Sequence, residues 1–484
     1  MRRKFWAGLI VAGSLYISLA GPRPALAADV AAPMFTKAPI ASLPNWTGFY
    51  LGANVGYGIG RNPSTTSFPG FFGISNPTES YMQVPAGALG GFQAGYDLQA
   101  GPMVFGIEGD WQWSAQHTST CGFVCTDEGA VIAEQRLRSF GTLRGRLGVS
   151  AGSSLLYGTA GLAWADVNTD INLTNTFNNL SDRASFHHTM SGWTAGGGIE
   201  TAIGGNWTAK VEYLYADFGS VTDAFYSPTF AHVTQVTSDL HEHIVRAGIN
   251  YRFNGPVASG AAAATPWQAL QARLVNWSGA YVGGNIGYGI GENRSELAQT
   301  VDPALVPETF TMSPGGVIGG VQAGYNWQAD HIVAGIEADF QGTGQKDSVC
   351  MQSCEFPLHG GVTAQQSQSW FATVRGRIGY AAGSSLLYAT GGYAAANIKT
   401  SFQTLSFGVT TPVTLNAMRS GWTAGAGIET MIAPNWSTKL EYLYTDYGNI
   451  SSGFVPTGPF ISTSLSSDLH DHVVRAGVNY HFGG

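Results

Sequence analysis

A unit of about 210 residues, too long for a solenoid repeat, occurs twice in tandem in this chain. NWTGFYLGANVGYGIG (45–60) returns as NWSGAYVGGNIGYGIG (276–291). TLRGRLGVSAGSSLLYGTAG (142–161) returns as TVRGRIGYAAGSSLLYATGG (373–392), and SGWTAGGGIETAIGGNWTAKVEYLYADFG (191–219) as SGWTAGAGIETMIAPNWSTKLEYLYTDYG (420–448). Each copy closes in nearly the same way, on TSDLHEHIVRAGINYRF at 237–253 and SSDLHDHVVRAGVNYHF at 466–482. The order never changes. Whatever one copy folds into, the other must fold into as well, or the two must merge into one larger structure.

Composition narrows the choice. Only 11% of residues are charged, against 44% hydrophobic and 12% aromatic, where a soluble domain carries about 25% charged residues. Much of the surface is therefore expected not to face water. The net charge of −8 argues against a nucleic-acid partner. At the N-terminus, MRRK precedes the apolar stretch FWAGLIVAGSLYISLA and the small-residue site Ala25-Leu26-Ala27. This predicts a signal peptide over 1–27, and its cleavage would also remove Arg2, Arg3, Lys4 and Arg23. No later apolar run is long enough for a membrane helix. For an exported, charge-poor, glycine-rich chain, the remaining membrane-spanning solution is a closed β-barrel.

Within the first unit, eight segments alternate with the period of a strand: 47–59, 88–99, 102–115, 136–150, 153–167, 191–203, 206–218 and 241–253. Short connections (QAGP, SAGSS, IGGN) alternate with long ones at 60–87, 116–135, 168–190 and 219–240. Short turns at one end and long loops at the other are the pattern of an outer-membrane barrel with its turns in the periplasm. The predicted fold is all-β, two tandem eight-stranded antiparallel transmembrane barrels. The alternative is a single sixteen-stranded barrel. The predicted domains are a periplasmic N-terminal segment (28–44), barrel 1 (45–253), a periplasmic linker (254–275) and barrel 2 (276–484). In the linker, Thr265-Pro266 fits a helix start, with Trp267, Leu270 and Leu274 on one face.

Alternation also assigns faces. In NWTAKVEYLYADF, Trp207, Ala209, Val211, Tyr213 and Tyr215 form a row suited to lipid, while Thr208, Lys210 and Glu212 suit the lumen. Over the whole unit the inward row holds Glu108, Asp110, Arg144, Arg146, Glu200, Lys210, Glu212 and Arg246. The second unit matches it with Glu337, Asp339, Arg375, Arg377, Glu429, Lys439, Glu441 and Arg475. Each set has four acids and four bases. Eight strands enclose just enough room for side chains, and an unpaired buried charge costs several kcal/mol. The balanced sets therefore predict an internal salt-bridge plug rather than an acid/base active site.

Other candidates are weighed beside it. His241 and His243, like His470 and His472, are two apart and share one side of a strand. The expected role is as polar residues of a wet outer rim. The competing readings are a weak metal site, for which no third ligand is evident, or a rim hydrolase, which needs a nucleophile within reach of an oriented base. The pairs Cys121/Cys125 and Cys350/Cys354 predict a short loop disulfide in each unit of an exported protein, with zinc as the alternative. GYGIG at 56–60 and 287–291 has no following helix pattern or Walker lysine, so its glycines suit close packing instead.

Taken together, NWTGFYLGANVGYG, RGRLG leading into SSLLYGTAGLA, GWTAGGGIE, NWTAKVEYLYADFG and HIVRAGINYRF resemble the small outer-membrane immunogenic β-barrel proteins of alphaproteobacteria, relatives of the OmpA-like transmembrane domain. The resemblance covers most of 45–253 and again 276–482. It implies an outer-membrane location, one eight-stranded barrel per copy, and roles in envelope integrity and surface antigenicity, with haemin bound by some members. It gives no haemin-contacting residues. The doubling of the unit and the loop cysteines depart from the family pattern. The expected function is a non-enzymatic structural and surface-exposed envelope protein without a cofactor. The alternatives are a loop-mediated receptor or adhesin, with haemin a candidate, and a diffusion porin. Expected partners are outer-membrane lipid, lipopolysaccharide and the outer-membrane assembly machinery, which would read the closing strands. No nucleic acid is expected, and any surface ligand is unidentified.

Overall fold

The computed structural model describes residues 45–69, 78–126, 129–175, 180–254, 275–299, 308–351, 362–406, 409–456 and 462–482. The signal peptide, the 28–44 segment and the linker helix expected after Thr265 lie outside the described residues. The described residues contain strands and turns but no helix.

Eight long strands form the first ring: Gly48–Gly60, Ala86–Ala100, Met103–Thr126, Gly129–Ala151, Ser154–Asn175, Leu180–Gly204, Trp207–Ser227 and His232–Arg252. Each pairs antiparallel with the next. The last pairs back onto the first from Tyr50↔Arg252 to Gly60↔Glu242, which closes the barrel. The second ring runs through Gly279–Gly291, Gly315–Ala329, Ile332–Thr343, Val362–Ala382, Ser385–Ser406, Val409–Ala433, Trp436–Ser451 and Ser462–Phe482. It closes from Ala280↔Phe482 to Gly291↔Asp471. Each ring closes on itself, so the sixteen-stranded alternative is excluded. Among the described residues, one bridge, Ser80↔Cys350, joins the two hydrogen-bonded networks.

The turns at one end are tight, as expected. Gly101 sits at φ 63° in the first such turn, and Asp330 takes its place in the second barrel at φ 53°. Glycine enters this left-handed region freely, and aspartate is among the side chains that tolerate it. The other end departs from expectation. The segments 116–135, 168–190 and 219–240, read as loops, are largely continuations of the strands, which reach 24 residues in Met103–Thr126 and 25 in Leu180–Gly204. A bilayer needs only about 9–11 residues per strand, so more than half of such a strand projects outward. Within 60–87, Asn62–Ser67 and Thr78–Gln83 form an added hairpin.

The outward faces carry an apolar belt, with Leu51, Val55, Ile107, Leu143, Leu147, Leu162 and Ile249 exposed in the first barrel. Aromatic side chains rim it. Phe49, Trp207, Tyr251 and Phe253 lie at the turn end, and Phe92, Trp113 and Trp193 at the other. This is the lipid-facing surface of a barrel membrane protein.

The barrels pack side by side about a pseudo-two-fold axis. Tyr57 stacks on His472 at 5.4 Å, and Tyr288 stacks on His243 at 5.0 Å. Tyr57 and Tyr288 are equivalent positions in the two units, as are His243 and His472, so the surface is self-complementary. At the turn end, Ser153 and Ser384 meet on the axis, Oγ to Oγ at 2.9 Å, and each hydroxyl accepts the other's backbone N–H at 3.1 Å. At the outer end, Met82 and Val84 join Phe310, Met312 and Val349 in one buried cluster. This corrects the wet-rim expectation for His243 and His472. Both point outward, but they are 7% and 4% exposed because a second barrel covers them.

Candidate functional site

The interior of each barrel is filled in three layers. The middle layer is ionic. Arg144 reaches Glu108 at 2.5 Å, Asp110 at 3.0 Å and Glu212 at 2.9 Å. Arg246 reaches Asp110 at 2.8 Å and Glu212 at 2.7 Å from across the lumen. Lys210 binds Glu108 at 2.9 Å, and Arg146 binds Glu200 at 2.6 Å. Neutral donors complete the acids' coordination: Tyr50 to Glu108, Tyr157 to Glu212, Thr142 to Asp110 and Thr208 to Glu200.

The second barrel repeats the network. Arg375 meets Glu337, Asp339 and Glu441 at 2.5, 2.9 and 2.9 Å. Arg475 meets Asp339 and Glu441, Lys439 meets Glu337, and Arg377 meets Glu429. All sixteen side chains named from the sequence are at most 7% exposed, so none is left on a solvated face. Close packing at GYGIG allows this. A Cβ on Gly56 would lie 2.8 Å from the Arg246 Cβ, and one on Gly287 an equal distance from that of Arg475.

The layer nearest the turns contains residues outside those sets. Arg252 pairs with Asp97 at 2.6 Å and with Glu200 at 3.2 Å. Its guanidinium lies 4.8 Å from the Trp46 ring centre, and Trp46 closes that end at 1% exposure. In the second barrel Asn326 and His481 replace the Asp97–Arg252 pair. His481 faces Glu429 at 3.4 Å, and Trp277 is fully buried in the place of Trp46.

The outer layer is apolar. Continuing the inward row past Glu212, Leu214, Ala216 and Phe218 pack with Phe140, Leu240 and Ile244 inside the barrel. Phe371, Leu443, Tyr447, Leu469 and Val473 do the same in the second. A charge-based reading of the inward row does not include this layer. In LYADF the inward residues Leu214, Ala216 and Phe218 alternate with Tyr215 and Asp217, so the contrast of polarity that marks the ionic layer is weak here.

Among the described residues, the histidines of the closing strands meet tyrosine and carboxylate neighbours. His243 Nδ1 is bonded to Tyr213 Oη at 2.8 Å, while His241 faces Asp217 at 3.8 Å. His472 and His470 repeat this with Tyr442 and Asp446. Ser238 bonds with Ser64 at 2.8 Å rather than with a histidine. Among the described residues no group of three His, Cys, Asp or Glu side chains is arranged to hold a metal. Cys121 and Cys350 are disulfide-bonded. Cys354 and the side chain of Cys125 lie outside the described residues.

The family described as "Outer membrane protein beta-barrel domain" matches residues 28–253 and again 257–482. The 31 kDa outer-membrane immunogenic protein of Brucella melitensis is 37% identical over 211 residues, which is 43% of this chain and 84% of that protein. The 22 kDa outer membrane protein of Rhizobium leguminosarum bv. viciae is 34% identical over 211 residues, covering 43% of this chain and 79% of its own. The crystal structure of Ail, the attachment invasion locus protein of Yersinia pestis, aligns at a TM-score of 0.20 and 15% identity, over 42% of this chain and 99% of its own, a score too low to add weight. Each of these relatives aligns with less than half of this chain. With two matches that together span most of its length, the chain belongs to the outer membrane protein β-barrel domain family, carries that domain twice, and is a protein of the outer membrane.

Proposed function

We propose that this protein is a non-conducting structural and surface-display element of the outer membrane, a pair of sealed barrels rather than a pore or an enzyme. The filling of each lumen carries this reading: a tryptophan at the turn end, a paired ionic layer at mid-height and an apolar layer above. A diffusion porin keeps a water-filled lumen, whereas here the arginines span it to reach acids on opposite strands. Outer-membrane lipid and lipopolysaccharide would surround the belt, and the assembly machinery would read the closing strands ending at Phe253 and Phe482. Planar-bilayer recording of the mature protein tests the proposal. The expected outcome is insertion without stable open levels, and channels of nanosiemens size would overturn it.

A second reading, a receptor or adhesin, is supported by the outer extensions. They are ordered strands from both barrels joined around Met82, Val84, Phe310 and Met312, which offers one rigid platform. Exchanging the outer segments for those of a single-barrel relative, then measuring haemin and host-surface binding, tests it. Unchanged binding would sink it.

A further inference from the structure

Where the two barrels curve away from their contact they leave two crevices, one on each side of the pseudo-two-fold axis. The first, about 670 Å³, lies between Leu147, Leu156 and Gly158 of the first barrel and Ile286, Leu440 and Ala476 of the second. The second, about 530 Å³, lies between Leu387, Ala389 and Ala426 of the second barrel and Val55, Val211 and Ala247 of the first. The walls are the same surfaces exchanged. Gly158 and Gly197 line the larger crevice where Ala389 and Ala426 line the smaller, which accounts for the direction of the size difference.

We propose that each crevice seats an acyl chain of a phospholipid from the periplasmic leaflet. Four observations converge on that occupant. The walls belong to the outward, lipid-facing rows, so hydrocarbon is the solvent at this depth. Both crevices lie from mid-belt toward the turn end, below the level of Trp193 and His241. Each is roofed by a tyrosine–histidine stack, Tyr288 on His243 over the first and Tyr57 on His472 over the second. The stacked histidines are tied by Tyr213 and Tyr442, so a chain descending from the outer leaflet meets a closed lid. Finally, serine hydroxyls bridge the barrels on the axis at the turn end, which fixes the spacing that keeps both crevices open. A void of this size left empty would forfeit dispersion contacts on every wall.

The test uses the mature full-length protein extracted in mild detergent. Native mass spectrometry is expected to find two phospholipids retained per chain after annular lipid is stripped. A phosphatidylethanolamine carrying a photoreactive acyl tail is expected to label peptides containing Leu156 and Leu387. Gly158→Leu should remove one retained lipid, Ala389→Leu the other, and the double variant both. Both positions are exposed, and a Cβ at Gly158 would lie 3.9 Å from its nearest neighbour, the Gly196 carbonyl oxygen, so heat-modifiable migration should be unaffected. Retention of no phospholipid, retention unchanged in the filled variants, retention of lipopolysaccharide instead, or photolabelling spread evenly around the belt would each overturn the proposal. Labelling of the unmodified protein decides the matter even if a filled variant fails to fold.

Discussion

Arg246 donates to both Asp110 and Glu212 at mid-lumen, where all three side chains are buried. Arg246→Leu takes from each of the two carboxylates one of its guanidinium partners, leaving Arg144 as the other, and breaking one partner of a buried pair costs about 3–5 kcal/mol. The expected result is a lower urea midpoint for the first barrel, followed by tryptophan fluorescence, with Arg475→Leu doing the same to the second. The histidines call for a different measurement. His243→Ala and Tyr288→Ala should each weaken the contact between barrels, and the cycle with the double variant should return a coupling of about 0.5–1.5 kcal/mol, the range for stacked rings. Strict additivity would mean that the stack contributes nothing. These residues also mark what a sequence can disclose. Lys210 and Glu212 announce the lumen because charge alternates with Val211 and Tyr213. Arg252 faces inward by alternation, but its partner Asp97 escapes a reading that relies on agreement between copies, since Asn326 and His481 stand in their places. His243 reads as a polar rim residue because the pattern gives its side of the strand but not what lies beyond it.

Strand continuity is the main gain over the sequence at the level of elements. The stretch 219–240 pairs with itself from Gly219↔Leu240 to Ser227↔His232, although SVTDAFYSPTF mixes polar and apolar residues on both faces and shows no clean alternation. Outside the bilayer, both faces of a hairpin can meet water, so the usual cue disappears while the backbone ladder persists. Hydrogen exchange distinguishes ladder from loop. Backbone amides of 220–227 and 232–240 are expected to exchange on the slow scale of the membrane-spanning residues, and rapid exchange throughout would refute the extended strands. The apolar layer was hidden for the opposite reason. From Tyr213 to Phe218 both rows are largely apolar, so alternation of polarity vanishes where the interior itself becomes apolar. The turn ends of the eight membrane-crossing segments, by contrast, lie within a few residues of those of the observed strands, because there one face meets lipid and the other meets charge.

Closure of each ring on its own first strand implies that the first barrel is a complete folding unit. Residues 28–255 expressed alone and refolded in detergent are expected to give a heat-modifiable species, running ahead of the boiled form on gels. Failure to do so would show that the second barrel is required. The contact between barrels has a further consequence. Two identical partners must make every contact twice, but here one contact is made once. Arg61, just past the first strand, reaches Asp347 at 3.4 Å and the Ser313 carbonyl at 2.9 Å. At the related positions stand Glu292 and Thr118, and Glu292 turns to His472 at 3.6 Å instead. Burial raises the Asp347 carboxyl above its ordinary value even with Arg61 beside it, so the pair directs association more than it strengthens it. Joining the copies in one polypeptide has thus freed each to drift toward the other and away from itself. Two first barrels from neighbouring chains would set Arg61 against Thr118 and lose the match, and a crowded membrane would sort each barrel back to its own partner.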